Sequence, residues 1–346
     1  MRKNAGNRKV IVAMSGGVDS SVAAFLLREE GYEVVGATID TGFGRAADEA
    51  ARICAQLGLE HHVIPARDIF LERVVQPFAR DYLAGLTPSP CVECNRRFKF
   101  PVFWPLMAEL DTDKLATGHY CHIFERDGRY GLRRAEADGK DQTYFLCRLD
   151  QHILSRCLFP IGDYTKEQVR RIAAEQGLAS ARQKDSFDIC FITDGDYRAC
   201  VREHAATQPL PGDIVDLSGR IVGRHNGLFE YTVGQRRGLN VALGYPAYVV
   251  RLERAENRVV LGPREALWAK EAVVRDVSLI SGESLTAPLR ALVRIRYQAE
   301  PAEAVITPLA DGRAGIKFAT PVWAPAAGQS AVFYDGDILL GGGYIV

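Results

Sequence analysis

Val10-Ile11-Val12-Ala13-Met14-Ser15-Gly16-Gly17-Val18-Asp19-Ser20 joins an apolar run to a glycine turn, and the helix-forming stretch 21–30 follows at once. The order predicts a strand, a tight turn at its carboxyl end and the start of a helix. Two glycines let the backbone approach an anion closely, and Ser15, Ser20 and Ser21 add hydroxyls. A helix start also presents unpaired N–H groups with a favourable dipole, so the segment reads as a phosphate site. The stretch has neither the Gly-Lys-Ser/Thr of a Walker loop nor Gly-x-Gly-x-x-Gly. Asp19 would repel a bare phosphate unless it held Mg²⁺ or a positioned water. The plain alternative is an incidental Gly-Gly turn.

Outward from this loop, residues 1–200 alternate strand and helix patterns. Strands are expected at 9–14, 33–39, 61–64 and 114–117, and helices at 21–30, 46–57, 69–83, 97–110 and 165–176. Such a βαβ series predicts a doubly wound, Rossmann-like parallel sheet with its ligands at the carboxyl ends of the strands. Thr165 has the place of an N-cap and Gly177 that of a C-cap. After about residue 205 helical periodicity fades. Short β-rich runs take over at 214–217, 245–252, 258–261, 291–297, 314–318 and 330–334, separated by Gly, Pro, Asp and Asn. The expected organisation is an α/β domain (1–205), a small β-rich central domain (206–268) and a β-barrel-like domain (269–346).

Lys+Arg and Asp+Glu number 43 each, so any nucleic-acid surface must be a local patch. No N-terminal apolar leader and no uninterrupted apolar stretch of membrane-spanning length occur, and a soluble, cytoplasmic protein is expected. The 8 cysteines are too sparse for a disulfide scaffold in a chain of 346 residues. Cys54, Cys147, Cys157 and Cys200 fall in helical or apolar patterns that suit buried thiols; Cys121 is undecided.

Thr87-Pro88-Ser89-Pro90-Cys91-Val92-Glu93-Cys94-Asn95 is a proline-stiffened loop opening onto a helix, where a thiol could be held as thiolate by the helix N-terminus. By spacing alone it is half a zinc site, a redox pair or two inert cysteines. Residues 184–192 end in Ile189-Cys190-Phe191-Ile192, read as a short apolar strand after turn-like residues. Cys190 has no close Cys/His companion, which disfavours a closed Cys₄ or Cys₂His₂ zinc site. Gly118 and His119 follow the strand at 114–117 and would face the crevice of the glycine loop. Lys140-Asp141-Gln142 suits a phosphate or a base edge, or an ordinary solvated turn. Tyr231 to Leu239 carries Arg236 and Arg237 between glycines, and Arg294-Ile295-Arg296-Tyr297 would place two arginines on one strand face; each is either an RNA surface or a solvated charged face.

The Ser-Gly-Gly-x-Asp-Ser pattern resembles the PP-loop of the N-type ATP pyrophosphatases. With Thr-Pro-x-Pro-x-x-x-Cys-Asn, Ala-Thr-Gly-His-Tyr, Lys-Asp-Gln-x-Tyr-Phe-Leu, Ile-Cys-Phe-Ile, Tyr-Thr-x-Gly-Gln-Arg-x-Gly-Leu, Arg-Tyr, Gly-Gln and a terminal Gly-Gly-Gly in order, nearly the whole chain resembles the tRNA-specific 2-thiouridylases. The resemblance implies ATP contacts at Ala13, Met14, Ser15, Gly16, Gly17, Val18, Asp19, Ser20, Ile39 and Gly118, with Mg²⁺ accompanying ATP near Asp19. It implies Cys94 as nucleophile and Cys190 as persulfide carrier, the two able to close a disulfide. Ser89, Pro90 and Cys91 would lie against the target base, and His119, Lys140, Asp141, Gln142, Arg296, Tyr297 and Gln329 would face tRNA. Implied partners are tRNA and a sulfur donor such as a cysteine desulfurase or a sulfur relay protein.

Three departures stand out. Ser89-Pro90-Cys91 replaces the Asn-Pro-Asp of many members, so an Asp proposed as acid/base is absent. The segment 40–48 is short, and Cys121-His122 replaces a small residue and an arginine. Two rival readings follow: an iron–sulfur thiolase using Cys91, Cys94 and Cys190 as ligands, or another PP-loop adenylating ligase of the amidotransferase or argininosuccinate kind.

Overall fold

In the computed structural model, which describes residues 8–135, 139–183, 189–192 and 195–346, strand β1 (Lys9–Ala13) occupies the centre of a parallel sheet. Val10, Ile11 and Val12 are fully buried, as a strand covered by helices on both faces requires. Helix α1 (Val18–Glu29) leads from it to β2 (Glu33–Asp40), and α2 (Ala46–Leu57) leads on to the edge strand β3 (Glu60–Pro65). The chain then crosses to the other side of β1 as β4 (Leu115–Ala116). A hairpin intervenes, β5 (Cys121–Arg126) with β6 (Arg129–Arg134), before the sheet resumes at β7 (Cys157–Leu158). The order is β3-β2-β1-β4-β7, so the winding reverses between β1 and β4. Ligands of open α/β sheets bind at such a switch point, and here Ser15 and Gly118 leave the two adjacent strand ends.

A smaller four-stranded sheet follows, of order β10-β11-β8-β9, from β8 (Gly212–Asp216), β9 (Ile221–His225), β10 (Tyr248–Glu253) and β11 (Arg258–Gly262). The last unit is β12 (Trp268–Leu279), β13 (Leu289–Arg294), β14 (Ala302–Pro308), β15 (Ala314–Trp323), β16 (Ser330–Asp335) and β17 (Ile338–Ile345). Pairing of β12 with both β15 and β17 closes these strands into an antiparallel barrel filled by Val293, Ile306, Ile316 and Phe333. The β5–β6 hairpin pairs with β17, Leu132 opposite Leu339, so part of the first domain extends the barrel's sheet. Nothing in the linear order announces that pairing.

Four local expectations are corrected. The helix expected at 97–110 begins at Pro90 and is broken into an α turn (Pro90–Cys94), a π turn (Asn95–Lys99), a 3₁₀ turn (Pro101–Phe103) and a final α segment (Trp104–Glu109). Pro101 cannot donate to the Arg97 carbonyl, which is satisfied by the Arg73 guanidinium at 3.2 Å. A second π turn, Leu71–Val75, interrupts the helix expected at 69–83 just before Pro77. The strand expected at 291–297 stops at Arg294, whose side chain turns inward beside buried Asp141 at 3.7 Å; Arg296 and Tyr297 lie in the turn beyond. Residues 189–192 form a turn closed by the Ile192 N–H on the Ile189 carbonyl (2.9 Å), because Phe191 plugs an aromatic cluster with Phe43, Phe70 and Phe78. The turn-like residues 184–188 expected before it lie outside the described residues.

Candidate active site

The phosphate loop is shaped by its own hydroxyls. Gly17 is the N-cap of α1, with no side chain capping the first turn. The hydroxyls of Ser20 and Ser21 donate to the Gly17 carbonyl at 3.1 and 2.8 Å, and Ser20 Oγ accepts the Ser15 N–H at 3.2 Å. Ser15 is left exposed at the mouth. Gly16 has φ +77°, and a Cβ there would meet the Glu49 side chain at 2.5 Å. A Cβ on Gly118 would stand 2.7 Å from the Ser20 backbone nitrogen, so Gly118 is needed for close approach of the two strand ends. Met14 is buried beneath the loop, and Ile39 is half-buried on the adjoining strand.

The Asp19 problem is solved within the protein. Lys166, at the first turn of the helix Lys166–Glu175, reaches both Asp19 oxygens at 2.7 and 2.8 Å, and the Tyr120 hydroxyl donates to the same carboxylate at 2.7 Å. Thr165 and Gln168 hold that helix start in a capping box. Asp19 is therefore an ion-pair partner with both oxygens engaged by Lys166 and one also by Tyr120. Sequence reading missed Lys166 as a site residue; its only signal was its place beside a predicted N-cap.

The second half of the site is assembled from distant segments. Cys94 and Ile189 pack on the apolar cluster that contains Phe70, Phe98 and Phe191. Cys91, Cys94 and Cys190 come near enough for each thiol's charge to disfavour another's, and Lys99 is the cation that opposes this at all three. Burial dominates, pushing Cys91 up to about 11 and Cys94 up to about 12, with Cys190 raised as well. The expectation of a thiolate made by a helix N-terminus is thus corrected, because Cys94 sits at the end of its short helix and within the next turn. All three are free thiols, with Cys190 the most exposed. Among the described residues no group of three His, Cys, Asp or Glu is arranged to hold a metal ion, so the three cysteines do not fit the cluster reading.

His119 is buried between Phe100 and Phe159. Burial first, and Lys99 second, hold its pKa well below the ordinary histidine value. Its Nε2 lies 3.3 Å from the Lys99 ammonium and must accept there, which assigns the proton to Nδ1, 2.7 Å from Thr117 Oγ1. Asp141 is buried, accepting from the Thr143 N–H and hydroxyl and pairing with Arg134 at 3.3 Å. Gln142 exchanges two hydrogen bonds with the Tyr120 backbone, and Lys140 is half-exposed nearby. Arg296 donates to the Val233 and Ala324 carbonyls, fastening the central domain to the barrel, and the Tyr297 ring lies tilted against Phe145 with centroids 4.5 Å apart. Gln329 donates to the Thr87 carbonyl at 2.9 Å, and the Thr87 N–H donates to Ala327. The loop bearing Ser89, Pro90 and Cys91 is thereby held against the barrel.

A further fastener was not foreseen. Glu93, between the two cysteines, meets Arg97 at 2.5 Å, Arg96 at 3.8 Å, buried Arg148 at 4.0 Å and the Tyr344 hydroxyl of the barrel.

Comparison with known proteins gives three adjoining family matches. Residues 8–194 match a tRNA methyl transferase HUP domain, 198–263 a tRNA methyl transferase PRC-barrel domain, and 269–345 an aminomethyltransferase beta-barrel domain. The chain is 45% identical over 98% of its length to tRNA-specific 2-thiouridylase MnmA of Acetivibrio thermocellus, covering 99% of that protein. It is 46% identical over 97% of its length to the MnmA of Heliobacterium modesticaldum, covering 92% of that one. Among solved structures, a 4-thiouridine synthetase–RNA complex with bound ATP aligns with 57% of this chain and 50% of its own, at 14% identity and a TM-score of 0.37.

Proposed function

The chain belongs to the tRNA-specific 2-thiouridylase family of ATP-dependent tRNA sulfurtransferases, and from that premise we propose that the phosphate loop and the thiol crevice perform the two halves of one reaction. The C2 oxygen of uridine is a poor leaving group. In the first half it attacks the α-phosphate of ATP and pyrophosphate departs, leaving the base adenylated. The unpaired N–H groups at the start of α1 and the Ser15 hydroxyl are placed for the charge that develops on phosphate, while Lys166 keeps Asp19 from repelling it. Magnesium is proposed only as the counter-ion that ATP brings with it, and no step is assigned to it.

In the second half, the terminal sulfur of a persulfide on Cys190 attacks C2 and AMP leaves with the C–O electron pair. Cys94 thiolate then attacks Sγ of Cys190. The S–S bond to the transferred sulfur breaks, its electron pair stays on that sulfur as 2-thiouridine, and a Cys94–Cys190 disulfide remains for a cellular thiol to reduce with two electrons. The sulfur enters from a donor such as a cysteine desulfurase or relay protein, in the cytoplasm. Cys190, the most exposed of the three thiols, is accessible to that donor. The wobble uridine must leave its stack to reach the crevice, at a cost of a few kcal/mol offset by backbone contacts to the β domains.

One observation carries this reading: Cys94 packs on the same aromatic cluster as Ile189 and Phe191, the two neighbours of Cys190, in the same molecule as a phosphate loop. The test is mass spectrometry of tRNA nucleosides after incubation with ATP, Mg²⁺ and a persulfide source. Cys190→Ser is expected to abolish 2-thiouridine while tRNA-dependent AMP formation persists. Wild-type yields of 2-thiouridine in that variant would refute it.

A further inference from the structure

Burial acts against the sulfur chemistry just described, since it raises the pKa of every thiol in the crevice. A group is needed that favours the anion. The helical run after Cys94 supplies one through its irregularity. The π turn Asn95–Lys99 follows Cys94 directly, and the Lys99 backbone N–H is one of the groups that favour the Cys94 anion. The Lys99 ammonium reaches His119 Nε2 at 3.3 Å, and its charge acts against the burial of Cys91, Cys94 and Cys190. An α-helix continued through residue 99 would rotate that side chain by part of a turn.

Among the described residues, the charge of Lys99 is not spent elsewhere. It is half-buried, and among the described residues no carboxylate lies within ion-pair distance of it; its one close polar partner is His119 Nε2 at 3.3 Å. That imidazole is neutral, fixed by Thr117 and clamped between Phe100 and Phe159, so it orients the ammonium without neutralising it. The titratable groups facing Lys99 are Cys91 and Cys94 on its own helical run, Cys190 on the 189–192 turn and His119 after β4. A half-buried cation with no carboxylate in ion-pair reach among the described residues favours an anion that forms beside it.

We propose that Lys99 is a positioning residue for the thiolation reaction: held by His119, it stabilises the Cys94 thiolate and the sulfur anion on Cys190. This rests on the two-thiol reading above. When Cys94 ionises its proton passes to solvent and Lys99 keeps its own, so the lysine changes the balance of thiol and thiolate without exchanging a proton or bond.

The test uses the full-length protein. Iodoacetamide labelling of Cys94 and Cys190 is followed against pH by peptide mass spectrometry, with tRNA-dependent AMP formation measured on the same preparations. Lys99→Met is expected to slow labelling of Cys94 about tenfold at each pH between about 7 and 9, as a one-unit rise of its thiol pKa would. 2-Thiouridine formation should fall about as much while AMP formation persists. Lys99→Arg, which keeps the charge, is expected to hold the profile near wild type, and Lys99→Gln gives a second neutral variant should the methionine one misfold. An unchanged Cys94 profile in a folded neutral variant overturns the proposal, as does an arginine variant that behaves like the neutral ones. The labelling readout is independent of the persulfide route, which stands or falls on Cys190→Ser and 2-thiouridine.

Discussion

The phosphate loop takes its anion-facing groups from residues 13–20, whereas the thiol crevice takes its groups from 91–94, 99, 119 and 189–192. The first is made by backbone: two glycines, a helix start and hydroxyls that bond locally across two to five residues. The second is made by packing, with Phe70, Phe98 and Phe191 as the floor and the barrel bracing the cysteine loop through Gln329 and Tyr344. Each region has one lysine that manages charge, and the two do opposite work. Lys166 is spent on Asp19 in the phosphate loop, while Lys99 keeps its charge for sulfur. Under the proposed two-half reaction, damage to the crevice is expected to cost sulfur transfer more than AMP formation.

The sharpest way to break this contrast is Lys166→Met. With Asp19 uncompensated beside the incoming phosphates, tRNA-dependent AMP formation should fall about 100-fold, the scale of losing one charge-stabilising donor, while the pH profile of Cys94 labelling stays as in wild type. A labelling profile that moves with Lys166 would mean that the two regions are not electrically separate.

Gly118→Ala probes where the two regions touch, since its new Cβ meets the backbone of Ser20 rather than a flexible side chain. The expected destabilisation is about 1–3 kcal/mol, read as a lower urea midpoint, together with weaker ATP use. Wild-type stability would show that the close approach of β1 and β4 is slack.

A third prediction follows from His119, whose folded pKa lies below that of the unfolded chain. The unfolded state then binds the extra proton first, so this histidine's contribution to stability is complete above about pH 6.5 and is lost as pH falls below it, by up to about 1.4 kcal/mol per pH unit. Urea unfolding at pH 7.5 and 5.5 should show that loss in the wild type and a smaller one in His119→Gln. Equal losses in both would remove His119 as the acid-sensitive group of the crevice.

The smallest effect is expected at Arg236 and Arg237, exposed on the central domain. Replacing both with alanine should weaken tRNA binding modestly and flatten the slope of log affinity against log salt by up to about 2. An unchanged slope would leave the pair as a solvated charged surface.

The two regions were legible in the sequence to different degrees. The strand, glycine turn and helix start around Ser15 to Ser20 could be read directly, because each is a local property of neighbouring residues. So could the capping box at Thr165, whose two hydrogen bonds span three residues. In the cysteine segment the helix was foreseen but its π turn was not, although Pro101 sat four residues past Arg97 as a mark of the interruption. Arg296 read as a surface cation because sequence offers no sight of the Val233 and Ala324 carbonyls that hold it.

What the sequence by itself determined was the order of elements and the glycine turn between a strand and a helix start, since these follow from neighbouring residues; the pairing of Cys94 with Cys190 came only from the family resemblance. Tertiary structure alone decided the electrostatics. It settled that Asp19 is compensated by Lys166, that burial and not a helix terminus governs the thiols, and that β5–β6 belongs to the barrel's sheet. The physical reason is range: hydrogen bonds within a turn are fixed by a few consecutive residues, whereas desolvation and charge depend on every neighbour that folding brings near.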